Sequence, residues 1–174
     1  MDPIESNFRK TPNNPLALKH YVNTLYEKDH ILEAKYYYEK LISEDPSGLE
    51  TNKIGYLLSM RLMNPHVAIY ERRLIDAGAT QEQLYSLQLL YYYTFSDVVR
   101  MRDCVNGLLD IEPTDKYTYE IVIDSILKLE DFTLTYKFTK NYLPRIKGSN
   151  ALLKALKKIM IKELICIMRI KCKL

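Results

Sequence analysis

The stretch Leu32-Glu33-Ala34-Lys35-Tyr36-Tyr37-Tyr38-Glu39-Lys40, closed by Asp45-Pro46, decides the fold. Ala34 and Tyr38 stand four residues apart, the spacing of one helical face, with charged residues between and around them. Pro46 ends the segment, because a proline denies the α region to the residue before it. No alternation of apolar and polar residues bounded by Asn-Gly or Gly-rich turns occurs here or elsewhere, so strands are not expected.

Working outward, apolar residues recur at three and four spacings through most of the chain. Helices are expected at about 15–28, 31–44, 49–62, 65–76, 81–93, 96–109, 115–128, 131–143 and 150–173. Ser96 is a candidate cap, Pro15 and Pro65 suit a first helical turn, and Pro113 and Pro144 act as Pro46 does. Pro46 and Pro113 each follow an acidic residue and lie 67 residues apart, one short of two periods of about 34, the beat of paired-helix repeats. In such arrays no single hairpin buries its own apolar face, so each stacks on its neighbours.

With Pro46 in register, Leu18, Tyr21, Val22 and Leu25 take the large, large, small and large positions of a first helix. Ala34 and Tyr38 take the small and aromatic positions of a second. Around Pro113 the same places hold Tyr85, Gln88, Leu89, Tyr92, Met101 and Val105. Between them Thr51, Ile54, Gly55 and Leu58 fit a first helix, while Val67 and Ala68 straddle the small position of the second. A fourth hairpin carries Tyr119, Ile123 and Ile126 with a turn at Glu130-Asp131. On these residues the chain resembles the tetratricopeptide-repeat superfamily over about residues 15–145. The resemblance implies an all-α fold: antiparallel helical hairpins stacked as a right-handed superhelix, with a C-terminal amphipathic helix as its cap. It divides the chain into an N-terminal extension (1–14), a repeat domain (15–147) and a basic amphipathic helix (148–174). It also implies a concave groove that takes a peptide or helix of a protein partner, with no particular activity attached.

Composition narrows the alternatives. The 174 residues are 47% hydrophobic and 27% charged, which suits one domain or a short repeat array. None of the 5 glycines falls at P-loop or dinucleotide-motif spacing. Three cysteines, Cys104, Cys166 and Cys172, without a close ligand pair point to reduced thiols, not to a disulfide framework or zinc site. The start lacks a charged n-region and an apolar h-region, and no apolar run is long enough to cross a bilayer, so a cytoplasmic address is expected. His20, His30 and His66 lie in separate elements with no catalytic or ligand spacing. No enzyme activity, cofactor or metal is expected.

Charge is unevenly placed. Residues 1–144 hold 16 Lys+Arg against 21 Asp+Glu, and residues 145–174 hold 9 against 1. An acidic body disfavours nucleic acid as the main partner and singles out the tail as the cationic element. Its Lys154, Lys158, Lys162 and Arg169 fall within about 80° on a helix, with Leu, Ile, Met and Cys over most of the rest. Three occupants are open for that apolar face: the array itself, a second copy in a homodimer, or a partner such as an anionic membrane surface.

By repeat position the groove side collects Leu16, Lys19, Asn23 and Tyr26, then Asn52, Tyr56 and Ser59, then Ser86, Leu90 and Tyr93, with Glu120 and Asp124 from the last hairpin. The 15 tyrosines divide between core packing and flat amphipathic contact area. Lys19 and Asn23 match the first-repeat residues of the clamp that holds C-terminal carboxylates of heat-shock chaperones. Lys53, Gln83 and Leu87 do not match the rest, so that clamp is rejected. The expected function is a non-enzymatic protein-binding scaffold, similar to the small tetratricopeptide chaperones and adaptors of bacterial secretion systems. The rival is a membrane-peripheral or nucleic-acid-associated regulator that works through the cationic tail.

Overall fold

The structure, a computed structural model, describes residues 3–12, 14–142 and 161, with the backbone alone at residue 7. It is all-α. The described residues form α1 (Pro3–Lys10), α2 (Pro15–Glu27), α3 (Ile31–Glu44), α4 (Leu49–Arg61), α5 (Val67–Asp76), α6 (Gln81–Thr94), α7 (Val98–Ile111), α8 (Lys116–Leu129) and α9 (Phe132–Asn141), with no strand among them. The helix expected at 150–173, with Lys154, Lys158, Lys162 and Arg169, lies outside the described residues.

The chain divides after Thr80 into two compact units. In the first, α2 and α3 form one antiparallel hairpin and α4 and α5 a second, with α4 packed on both helices of the first hairpin. In the second, α6 and α7 pair, α8 packs on both, and α9 packs on α7 and α8. This neighbour-on-neighbour packing is consistent with helical repeats.

Local chemistry explains the boundaries. Asn14 accepts hydrogen bonds from the Leu16 and Ala17 amides with Pro15 at the first helical position, a matched cap and start. Asp97, Asp115 and Asp131 do the same for α7, α8 and α9, accepting from the amides of Arg100, Thr118 and Leu134. The cap of α7 is therefore Asp97 and not Ser96, which instead adopts φ 56° in the turn. Pro65 also stands outside its helix: Asn64 accepts from the His66 amide at 2.9 Å, and that side-chain turn delays α5 to Val67.

The hairpin turns share one backbone device. Asp29, Met63, Ser96 and Glu130 all have positive φ, at intervals of 34, 33 and 34 residues. At the first three, the turn residue donates to a carbonyl three residues back and its successor donates five back: Asp29 to Tyr26 and His30 to Leu25, Met63 to Met60 and Asn64 to Ser59, Ser96 to Tyr93 and Asp97 to Tyr92. This left-handed closure satisfies the last carbonyls of the first helix and reverses the chain.

Each unit has its own core. Phe8, Leu18, Tyr21, Val22, Leu25, Ala34, Tyr38, Leu41, Ile54 and Leu58 pack in the first. The register around Pro46 thus placed its six signature residues in the core. In the second unit Leu89, Met101, Cys104, Val105, Leu108, Ile121, Val122, Ile126, Leu134 and Phe138 pack together. Tyr85, Gln88 and Tyr92, read as core by position, are only half-buried. The extension 1–14 is not featureless, since α1 packs on α2 and stacks Phe8 on Tyr21 at 4.5 Å between ring centroids.

Candidate partner-binding surface

In both units the first helices of successive hairpins lie side by side, α2 beside α4 and α6 beside α8. The candidate groove residues belong to these four helices, and the structure sorts them by burial. On α2, Lys19, Asn23 and Tyr26 form a half-buried stripe at i, i+4 and i+7, and Leu16 at its start is exposed. That stripe combines a cation, an amide and an aromatic ring.

The α4 residues behave differently. Asn52, Tyr56 and Ser59 are each 2% exposed and offer no surface to a partner. The amide of Asn52 donates to the carbonyls of Pro46 at 3.0 Å and Gly48 at 2.9 Å, so it holds the α3–α4 loop. The Tyr56 hydroxyl reaches Glu71 on α5 at 3.4 Å, and Ser59 donates to the Tyr56 carbonyl. Each polar group that periodicity placed toward the groove is thus used within the fold, except Asn52 Oδ1, which is buried with no hydrogen-bond partner among the described residues.

On α6, Ser86 is also buried. Its hydroxyl meets that of Thr118 on α8 at 2.9 Å and donates to the Glu82 carbonyl. It is a pin between the two helices. Leu90 is 38% exposed and Tyr93 half-buried. Lys128 near the end of α8 donates to the Tyr93 carbonyl at 2.6 Å and lies 4.2 Å from the centre of its ring. In the other unit Arg61, near the end of α4, pairs with Asp29 at the end of α2. Arg61 and Lys128 each precede a turn residue of positive φ by two positions, so one kind of inter-hairpin tie occurs in both units.

The second unit keeps an open face. Tyr117, Glu120, Asp124 and Lys128 on α8 are all exposed, a stripe at i, i+3, i+7 and i+11. On neighbouring α6, Leu90 is exposed and Leu87 half-buried. Tyr117, 57% exposed, was missed from the sequence, although it stands one turn before Glu120 on the same face.

Burial also sets the acid–base character. It pushes the Tyr21 hydroxyl up to about 12, aided by its 3.1 Å hydrogen bond to Glu33, and the Tyr38 hydroxyl to about 12. Tyr92 is raised mainly by burial and partly offset by Arg100. The Cys104 thiol is pushed up to about 12 by burial, with Asp103 and Asp97 adding to it. That is a packed thiol, not an activated one. His20 is exposed on α2. Among the described residues no group of His, Cys, Asp and Glu could hold a metal ion, and no helix is long and apolar enough to cross a membrane.

The fold and these faces define an all-helical protein whose packing is consistent with helical repeats. Comparison with known proteins finds no matching family model, no matching curated protein and no matching solved structure.

Proposed function

We propose that this protein is a non-enzymatic, cytoplasmic interaction scaffold of tetratricopeptide type that holds an extended peptide or helix of a protein partner along the first helices of its hairpins. The observation that carries the reading is the open face of the second unit: exposed Leu90 and Tyr117, with half-buried Leu87, supply apolar anchors, and Glu120 and Asp124 add exposed carboxylates on the same helix as Tyr117. Lys19, Asn23 and Tyr26 supply a smaller stripe in the first unit. Flat aromatic and aliphatic anchors beside polar groups are what peptide recognition uses for affinity and register. The recurrence of left-handed turn residues at intervals of 33 and 34 supports the tetratricopeptide assignment. A chaperone or adaptor role, as in secretion systems, fits the same surface.

The test is affinity purification from the source cell with the full chain, washed at low and high salt, against a Tyr26→Ala, Leu90→Ala, Tyr117→Ala form. A partner retained at high salt by the parent and lost by the triple form supports the scaffold. A partner indifferent to the three substitutions refutes it. Binding lost at high salt in both forms moves the function to the cationic tail, and with it to a membrane surface or a phosphate backbone.

A further inference from the structure

We propose that residues 148–174 of this same chain dock on the α6/α8 face and occupy it in the absence of a partner. The inference rests on the reading of that face as the docking surface and names what competes for it.

Charge is distributed for such an arrangement. Residues 1–80 hold 10 Lys+Arg and 11 Asp+Glu, close to balance, whereas residues 81–142 hold 6 against 10. The cations of the second unit are largely committed: Arg100 to Asp97 at 3.7 Å, Arg102 to Asp131 at 2.9 Å, Lys116 to Glu120 at 3.6 Å, Lys137 to Asp110 at 2.5 Å and Lys128 to the Tyr93 carbonyl. Asp124, exposed in the middle of the α8 stripe, has no cation at ion-pair distance among the described residues. The Lys116–Glu120 pair is itself exposed and leaves the Glu120 carboxylate accessible. The acidic excess of the body therefore falls mainly in the unit that continues into the tail.

The apolar part matches as well. The Ser86–Thr118 hydrogen bond sets α6 against α8, Leu90 is one turn on from Ser86, and Tyr117 adjoins Thr118. Leu87, Leu90 and Tyr117 thus border the carboxylates of Glu120 and Asp124. The sequence of 148–174 offers the complement: Lys154, Lys158 and Lys162 recur at four-residue spacing, and Ile161, Ile165 and Met168 fall beside them at the same helical period. Because this segment is covalently attached just beyond α9, its effective concentration at the face is of the millimolar order that short tethers give. Exposed ion pairs contribute little affinity each, so here they set orientation while the apolar border holds the segment.

Amide hydrogen exchange on the full-length protein, alone in solution at low salt, tests this. In E120K/D124K the amides of 148–174 should exchange about tenfold faster while those of α7 and α9 keep their protection. K154E/K158E/K162E, which changes no residue of α1 to α9, should give the same loss, and the five changes together should restore protection. Raising salt in the parent should mimic the loss. The proposal is overturned by protection of 148–174 that ignores these substitutions, that depends on protein concentration, as a second copy would require, or that develops only with anionic vesicles. No partner enters this measurement, so tail release by E120K/D124K together with partner binding indifferent to Leu90 and Tyr117 would sink the scaffold reading alone.

Discussion

The ring of Tyr38 on α3 fills the space that a side chain at Gly55 on α4 would need: a Cβ there would come closer than 3.0 Å to the Tyr38 hydroxyl and to two ring carbons. Both residues are buried, so the contact joins the first hairpin to the second.

Gly55→Ala gains up to about 1 kcal/mol of helix propensity and incurs an overpacking cost of about 1–3 kcal/mol. A net loss of about 1–2 kcal/mol is expected by urea unfolding. Gly107→Ala is the contrast. Its Cβ would meet only the ring of half-buried Tyr85, at 2.7 Å or more, and that ring can shift. The second substitution should be neutral within about 0.5 kcal/mol.

Met63 sits in the left-handed region at φ 48° and is 87% exposed. It carries backbone strain with no packing in return. Met63→Gly should stabilise by about 0.5–1 kcal/mol, seen as a higher urea midpoint with an unchanged slope. Asp29→Gly at the equivalent turn should not, because it also removes the partner of Arg61.

The Glu82 carboxylate on α6 accepts from the Thr114 amide at 2.9 Å, the Thr114 hydroxyl at 3.1 Å and the Asp115 amide at 2.9 Å, so it fastens the start of α8 from a neighbouring helix. Glu82→Ala should lower stability by about 1–2 kcal/mol. Glu82→Gln, which keeps an acceptor oxygen, should lose less. Equal losses would mean that the carboxylate contributes through charge alone.

Tyr21 has its hydroxyl raised to about 12, first by burial and then by Glu33. Its folded-state value lies above the ordinary 10.0, so the folded protein holds that proton more tightly than the unfolded chain. The stability it contributes is complete below pH 10 and is lost as pH rises from 10 to 12. Urea unfolding across that range should show a shallower decline for Tyr21→Phe than for the parent. Parallel curves would refute the assignment.

Cys104 is buried, its thiol pushed up to about 12. In a Cys166→Ser, Cys172→Ser background, iodoacetamide at pH 8 should leave the native protein unlabelled and modify it rapidly in urea. Rapid native labelling would show that α7 opens locally.

The spans of the helices were legible because a helix is specified by neighbours three and four residues away. Leu18, Tyr21, Val22, Leu25, Ala34 and Tyr38 could be assigned to a core from periodicity and the position of Pro46. α1 escaped detection for the same reason: eight residues do not hold a helix by local propensity, and it stands on the stacking of Phe8 against Tyr21, which no spacing encodes.

What the sequence by itself determined is the all-α character, most helix boundaries and the beat near 34 residues, all properties of short-range periodicity and of proline at helix ends. Only the tertiary structure decided which candidate groove residues have a surface. Asn52, Tyr56, Ser59 and Ser86 occupy groove positions by phase yet lie buried, while Tyr117 and Leu90 stand open. Phase says which residues share a stripe, but whether the stripe meets solvent depends on what packs across it. Here that depends on partners such as Thr118, 32 residues from Ser86, and Glu71 on the next helix from Tyr56.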